Sequence, residues 1–258
     1  MTTLTEIACA VLGAGDPAAK LALTRDAGGA WNGIGDARPP ERPARPDRPH
    51  LLAPREMPRR SFGGQAGRIA LFHALAHIEL NAVDLAWDII ARFAEQDLPE
   101  AFFVDWLSVA VDEAEHFALL ERHLAQMGAT YGDLPAHDGL WQAAEKTVGD
   151  LLARLAIVPL VLEARGLDTT PNAMARLEAQ GDHGAISVLD RIYQDEIKHV
   201  RIGTTWFRHV AQARNLEPRQ AFQDCIRRDF KGGLKAPFNH EARALANFPR
   251  DWYEPLAA

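Results

Sequence analysis

The chain has 258 residues, of which 47% are hydrophobic and 24% are charged, and its formal net charge is −7. This length and balance predict a globular protein with one large domain or two small ones. The negative net charge provides no general attraction to nucleic acid, which leaves only a local basic patch for that role. The two cysteines, Cys9 and Cys225, have no metal-type spacing and predict no disulfide framework.

The N-terminal segment "MTTLTEIACAVLGAG" predicts a first helix rather than a signal peptide, because its short apolar stretch has no basic residues before it. No apolar run approaches the roughly 18–20 residues of a membrane span. We therefore expect a cytoplasmic protein with no membrane partner.

Residues 2–12 and about 16–26 predict two short helices that "GAGDP" separates. Residues 37–60, "ARPPERPARPDRPHLLAPREMPRR", are too rich in proline for regular structure and predict an extended arm on the surface. A polyproline segment that binds a partner is the alternative. Helices and arm together form the first predicted region, residues 1–64.

Helical spacing of apolar residues continues from residue 65 to about 214 and predicts a four-helix bundle. "DLPE" ends the first long helix, with Asp97 as the expected N-cap of the second, which covers about 99–127. We expect the third to begin near Asp138, to be interrupted at Pro159 and to end at "GLDTTP", and a shorter helical piece to follow Pro171. The fourth covers about 184–214.

The third predicted region, residues 215–258, contains a helix at about 218–229 and then an irregular, proline-containing tail. No segment of the chain alternates apolar and polar residues as a strand does. The fold class predicted from the pattern is therefore all-α, with extra elements on both sides of the bundle.

The sequence Asp-Glu-x-x-His occurs twice, as "DEAEH" at 112–116 and "DEIKH" at 195–199. A glutamate and a histidine three positions apart lie on the same face of a helix. Each of these helices can therefore present one carboxylate and one imidazole to the bundle interior.

Two more glutamates, Glu79 in "LAHIELNAV" and Glu163 in "PLVLEARGL", interrupt apolar stripes one helix upstream of each motif. Glu79 precedes Glu113 by 34 positions and Glu163 precedes Glu196 by 33, and both midpoints fall at predicted turns, so each pair is level across its hairpin. Burying such groups unpaired would cost roughly several kcal/mol each, and bound cations would remove that cost. The predicted ligands of a dinuclear metal site are Glu79, Glu113, His116, Glu163, Glu196 and His199.

Metal-bound histidines usually donate their second N–H to a carboxylate or a carbonyl. Asp112 and Asp195 precede the motif glutamates, and we expect each to reach the histidine of the opposite helix. Tyr193 lies one turn before Glu196, where it is either a redox-active or substrate-lining phenol or a core tyrosine with a satisfied hydroxyl.

Asp84 and Asp168 each follow an upstream glutamate by five positions. We expect capping or surface solvation, with Asp168 capping the helix after "GLDTTP". Of the other histidines, His73 and His77 lie off the face of Glu79, with His77 the nearer to the site, and His123 lines an access channel or the surface.

The paired motifs and the upstream "HIEL" and "LEARGLDTTP" resemble the ferritin-like superfamily of di-iron carboxylate proteins over about residues 65–212. More narrowly, "LEARGLDTTP" and the proline-rich arm resemble a bacterial ferritin-like family known only as a domain of unknown function. The resemblance implies the six metal ligands above, with Glu113 and Glu196 bridging. Related oxygenases often carry arginine before the motif histidine, where this chain has Glu115 and Lys198.

Coordination by many carboxylates and one imidazole per metal suits two Fe ions, or Mn, better than Zn or Cu. The resemblance implies an O₂-dependent oxidoreductase or hydroxylase that acts on a small molecule or a modified nucleoside and receives electrons from a donor. The alternative is a ferroxidase or metal-storage protein, which requires a shell of many subunits. The added arm and tail favour the enzyme, and a smaller homo-oligomer is compatible with it.

Overall fold

The computed structural model describes residues 2–29, 31–58 and 63–258. In these ranges the regular structure is helical, apart from isolated β-bridges that pair Leu51 with Ala136 and Leu234 with Ala257. The predicted all-α class is therefore confirmed. The α-helices are α1 Leu4–Gly13, α2 Pro17–Asp26, α3 Gly64–Arg92, α4 Glu100–Gln126, α5 Gly139–Glu145, α6 Leu151–Ile157, α7 Ala164–Glu178, α8 His183–Ala213, α9 Pro218–Asp229, α10 His240–Leu245 and α11 Arg250–Tyr253.

Internal contacts divide the chain into two compact units, Met1–Trp141 and Gln142–Ala258, with the boundary inside α5. The three regions inferred from the sequence stay a prediction, because this division follows packing rather than composition. Each unit contains one copy of the Asp-Glu-x-x-His motif, on α4 and on α8 respectively.

The first unit is built on α3 and α4, which pack against each other along their length. Residues 93–99 connect them, so the two helices form an antiparallel hairpin. The prediction of Asp97 as the N-cap of α4 is wrong: Pro99 holds that position and no side chain caps the helix. Pro99 suits this place because its missing N–H could not have made a helical bond there.

Helix α3 is long and apolar enough to cross a membrane by length and composition, which the sequence reading did not foresee. However, 67% of its apolar window is buried inside the protein. Burial of this kind is expected for the core helix of a soluble protein, and α1 and α4 both pack against it.

The proline-rich arm lies against the first unit. Ala44 N donates to Leu12 O at 2.7 Å, and Arg92 Nη2 donates to Pro40 O at 3.0 Å. Arg45 pairs with Asp138 at 3.1 Å. The arm is therefore bound by backbone carbonyls and arginine side chains, and its last two residues, 59 and 60, lie outside the described residues.

In the second unit the predicted third helix is wrong as a continuous element. The chain leaves α5 after Glu145 and enters α6 at Leu151, with Asp150 as N-cap accepting from Leu152 N at 3.1 Å. Arg154, which is fully buried, donates to the Ala144 carbonyl at 2.8 Å. This bond satisfies one of the carbonyls in the last turn of α5 that have no partner within the helix.

The predicted interruption at Pro159 is confirmed as a π-helical segment, Val158–Glu163, between α6 and α7. The predicted end at "GLDTTP" is wrong, since α7 continues through Pro171 to Glu178. Proline removes the N–H that would bond to the carbonyl four residues earlier. Asn239 Nδ2 donates to that carbonyl, on Leu167, at 3.2 Å instead.

Helix α7 turns directly into α8, and the two pack together as a second hairpin. Helix α9 has the predicted bounds, Pro218–Asp229. The tail is more regular than expected. Helix α10 begins after its N-cap Asn239, whose side chain accepts from Ala242 N at 3.1 Å.

Two buried ion pairs correct the expectations for Asp84 and Asp168. Lys20 on α2 binds Asp84 on α3, and both side chains are almost fully buried. Arg243 on α10 binds Asp168 on α7 through two bonds, of 3.0 and 2.7 Å. Neither aspartate caps a helix or faces solvent, so in each unit a short accessory helix provides a cation to the helix core.

Burial raises the pKa of Asp84 to about 6, although Lys20 acts in the opposite direction. We expect Lys20→Met to lower the free energy of unfolding by about 3–5 kcal/mol at pH 8, because a buried carboxylate loses its cation. A raised carboxyl pKa means that the folded state holds a proton more tightly than the unfolded state, so the group destabilises increasingly as pH rises toward 6. The loss should therefore be smaller at pH 5, as measured by chemical denaturation.

The double variant Lys20→Met/Asp84→Leu should recover most of the lost stability, since no charge is then buried. Arg38→Ala is the control, because Arg38 pairs with Glu95 at 3.3 Å and both side chains are largely exposed. It should cause no measurable change. An equal loss at pH 5 and pH 8 in the single variant would contradict the role given to Asp84.

Candidate metal centre

Three predicted ligands meet inside the first unit. Glu79 is on α3, and Glu113 and His116 are on α4. His116 Nδ1 lies 3.4 Å from Glu79 Oε2 and 3.4 Å from Glu113 Oε2. One ligand atom from each residue lies within 4.8 Å of those of the others. The helical spacing of Glu113 and His116 and the level position of Glu79 both worked as the sequence predicted.

These three side chains are buried, with Glu113 and His116 at 0% exposure and Glu79 at 4%. Burial raises the pKa of Glu79 well above its usual value, the negative charge of Glu113 raises it further, and His116 acts in the opposite direction. Without a cation, Glu79 therefore tends to keep a proton. A divalent cation among these atoms would favour the ionised carboxylates instead.

The second unit contains the other half of the predicted set. Glu196 and His199 on α8 are buried, and Glu196 Oε1 lies 3.8 Å from His199 Nδ1. Glu163 is half-buried and is the last residue of the π-helical segment. The six-ligand assignment as a whole stays a prediction.

The chemistry of the donors fits a hard or borderline divalent metal. Each unit provides two carboxylates and one imidazole, with no thiolate or thioether among the predicted ligands. Oxygen-rich donors of this kind suit Fe or Mn. In the first unit the three donors are already close enough to share one cation, although burial and the repulsion between Glu79 and Glu113 disfavour ionisation of both carboxyls.

The predicted supporting residues have different surroundings. Asp195 Oδ2 accepts a bond from Arg191 Nε at 2.6 Å on its own helix, and Asp112 is half-buried on α4. Tyr193 is half-buried, and its hydroxyl accepts from Asn239 Nδ2 at 2.9 Å. Their roles beside the metal stay predictions, and the Asn239 bond gives Tyr193 a structural partner.

Two further histidines, His73 and His77, hold the loop that follows α4. His73 Nε2 accepts from Gly132 N at 3.0 Å, and His77 Nδ1 bonds to the Tyr131 hydroxyl at 2.9 Å. Burial lowers the pKa of His77 to about 4, so the ring is neutral at pH 7. His123 is buried against Phe72, with ring centroids 4.3 Å apart, so of its two alternatives the surface position is wrong.

Sequence reasoning missed Lys20 and Arg243, the cations that bind Asp84 and Asp168. Asp84 and Asp168 follow the predicted ligands Glu79 and Glu163 at the same spacing in the two units. That repeat was the available signal for a shared buried role. Nothing local to the lysine or the arginine identifies it as the partner, because both cations lie far away in the chain.

A comparison with protein families matches residues 13–254 to the family described as "Protein of unknown function (DUF455)". The chain belongs to the DUF455 family. An uncharacterized protein of Haemophilus influenzae is 42% identical over 215 residues, which cover 80% of this chain and 75% of that protein. No solved structure matches. For this DUF455 chain the resemblance to a family of unknown function is thus confirmed, whereas the ferritin-like superfamily stays a prediction.

The buried position of Glu79 in this DUF455 protein leads to a stability test. Because its folded pKa is raised, the carboxyl contributes stability below pH about 4.5, and this contribution is lost as pH rises through the folded pKa. Glu79→Gln keeps the shape and removes the ionisation. We expect the metal-free variant to melt at a higher temperature than metal-free wild type at pH 7.5, as measured by calorimetry.

Glu121→Gln is the matched control, since Glu121 is an exposed glutamate on α4, and it should leave the melting temperature unchanged. Added Fe(II) or Mn(II) should raise the melting temperature of wild type and have less effect on Glu79→Gln. A metal-free Glu79→Gln protein that is less stable than wild type at pH 7.5 would contradict the electrostatic cost assigned here.

Proposed function

We propose that this DUF455 protein is a dinuclear, di-iron carboxylate protein that acts as an O₂-dependent oxidoreductase on a small molecule. The observation that carries the proposal is the buried group Glu79, Glu113 and His116 in the first unit. We propose Glu196 as a further ligand of this centre. Glu163 and His199 complete the ligand set in a ferritin-like four-helix bundle.

The electrostatics of the first unit support a bound cation. Two carboxylates and an imidazole are buried together, and burial and the charge of Glu113 raise the pKa of Glu79 against the opposite effect of His116. A protein gains nothing from such a cluster for stability alone, because well-packed apolar residues of similar volume are as good or better. A bound metal would offset the free-energy cost of burying these carboxylates.

The internal repeat supports a second metal. The order glutamate, aspartate five residues later, and then Asp-Glu-x-x-His occurs once in each unit. In both units that aspartate is buried in an ion pair with a distant cation. Two equivalent half-sites with one imidazole each match the composition of dinuclear carboxylate centres.

Six side chains of the chain would hold the two metals. Glu113 and Glu196 would bridge the two metals, and Glu79 and Glu163 would each hold one of them. His116 and His199 would provide one nitrogen to each metal, and their burial would exclude competing water. When bound, two ferrous ions supply the electrons with which O₂ is reduced.

Tyr193 is proposed as a phenol near the substrate rather than as a ligand. Its hydroxyl accepts a bond from Asn239, and burial raises its pKa, so it stays protonated at neutral pH. The substrate class is a small molecule or a modified nucleoside, and a separate electron donor would reduce the iron. We place the protein in the cytoplasm, where such a donor is available.

Iron binding and O₂ consumption distinguish the proposed oxidoreductase from the alternative, a ferroxidase or storage protein. We expect the metal-depleted chain to bind about two Fe(II) ions under anaerobic conditions, the capacity of a six-ligand site. On exposure to O₂ the loaded protein should consume O₂ without taking up further iron. Metal analysis after gel filtration and an oxygen electrode measure both quantities.

Glu113→Ala and Glu196→Ala should each lose the two-metal stoichiometry, because each removes a proposed bridging ligand. Tyr193→Phe is the matched control and should retain both metals. Uptake of many irons per chain by a large closed assembly would replace the oxidoreductase proposal with storage. Wild-type protein that binds no metal with a stoichiometry near two would overturn the dinuclear centre itself.

A further inference from the structure

The second unit contains a cavity of about 680 Å³ that the proposed metal centre does not use. One wall is the C-terminal half of α8, and the other comes from α10, α11 and the residues between them. Its volume is in the range of small-molecule sites, roughly 300–1,000 Å³. The polar side chains in its lining include Thr205, Arg208, His209, Gln212, His240 and Arg250.

The cavity is on the opposite side of α8 from the motif residues. At 3.6 residues per turn, Thr205 lies about half a turn away from Glu196 around the helix axis, and Arg208 lies about half a turn away from His199. The cavity is therefore not the entrance to the proposed metal ligands of this helix. It is a separate feature, and its interpretation does not depend on the proposed function.

Positive and hydrogen-bond-donating groups dominate the described residues that line the cavity, and none of those residues is acidic. Arg250 is bound by Glu254 outside the lining, with Nε to Oε2 at 2.7 Å. Arg208 has no carboxylate partner among the described residues, so it is the uncompensated cation of the cavity wall. His209 and His240 add two imidazoles, which donate hydrogen bonds when protonated.

Arg208 is held in position before any ligand binds. Its guanidinium carbon lies 5.1 Å from the centre of the Trp252 ring, and Nη2 donates to Asn247 O at 3.2 Å. Its Nε is buried and donates to no other described residue. A ligand oxygen in the cavity would therefore meet a guanidinium that its neighbours already orient.

His240 is also oriented by its surroundings. Its Nδ1 bonds to the Tyr253 hydroxyl at 2.8 Å, and the two rings are stacked at an interplanar angle of 19°. This bond fixes the ring and leaves Nε2 for a ligand. An arginine fork, two imidazoles and the Gln212 amide exceed what the two oxygens of one carboxylate need, whereas the three terminal oxygens of a phosphate ester can accept all of them.

We infer that this cavity binds a small phosphate monoester, with the phosphate held by Arg208 and the two histidines. Inorganic phosphate alone would leave most of the volume empty, so the ligand carries an organic group. The remaining lining provides for that group, through the edges of Phe248 and Pro249.

The test is isothermal titration of the full chain with ribose 5-phosphate, inorganic phosphate and unphosphorylated ribose. Ribose 5-phosphate should bind saturably at one site per chain, about tenfold or more tightly than inorganic phosphate, and ribose should not bind. Arg208→Lys should weaken the binding about tenfold, since lysine keeps the charge but loses the planar fork. Arg227→Lys, at an exposed arginine of α9 outside the cavity, is the matched control and should bind as wild type does.

Because Arg208 packs on Trp252, a second variant guards against a folding defect. Thr205 is exposed at the cavity wall, so Thr205→Glu should fold normally and abolish binding by charge repulsion. Wild type treated with EDTA should bind ribose 5-phosphate as untreated protein does, which excludes phosphate bound at a metal. The inference is overturned if folded wild type shows no saturable binding, if inorganic phosphate binds equally well, or if Thr205→Glu binds unchanged.

Discussion

Helix α3 buries three carboxylates, Glu79, Asp84 and Asp88, within ten residues of its sequence. Burying a carboxylate costs roughly several kcal/mol of solvation free energy, which a nearby cation or hydrogen-bond donors must offset. Each of the three has its own solution. Asp88 accepts three bonds from Arg92 one turn later on the same helix, from Nε at 2.8 and 3.0 Å and from Nη2 at 2.6 Å. Asp84 forms an ion pair with Lys20 of another helix, and Glu79 is a proposed metal ligand.

Much of the first unit can be understood from this requirement. Helix α2 must lie close enough for Lys20 to reach Asp84, and Lys20 is also bound to the Val11 carbonyl of α1 at 3.1 Å. The arm contributes at the far end, where the Pro40 carbonyl accepts from Arg92. The accessory segments therefore help to stabilise the buried charged groups of α3.

The second unit solves the same problem with different parts. Arg243 of α10 takes the role that Lys20 has in the first unit, and its guanidinium also lies 4.4 Å from the Tyr253 ring centre. Asn239, at the start of α10, bonds to the Leu167 carbonyl and to the Tyr193 hydroxyl. The C-terminal segment thus provides the hydrogen bond that Pro171 cannot donate to Leu167 O, and it also provides the cation that pairs with Asp168.

The success of prediction from sequence depended on distance along the chain. The i, i+3 relation of Glu113 and His116 belongs to one helix and the register of Glu79 to one hairpin, and these relations brought three predicted ligands together. The continuity of α7 through Pro171 was missed because its replacement donor, Asn239, is 68 positions further on. Lys20 was missed for the same reason, since an ordinary helical lysine carries no mark of a buried partner. Glu163 and His199 stay predictions from the repeat.

The two distant cations have a practical consequence for anyone who isolates part of this protein. A chain trimmed to residues 65–214 would keep every predicted metal ligand and yet lack both Lys20 and Arg243. Asp84 would then be buried without Lys20, and Asp168 would keep only Arg165, 3.6 Å away on its own helix. Such a fragment would favour local opening around α3 and α7, and low yield or aggregation on expression would reflect missing charge compensation rather than a missing metal.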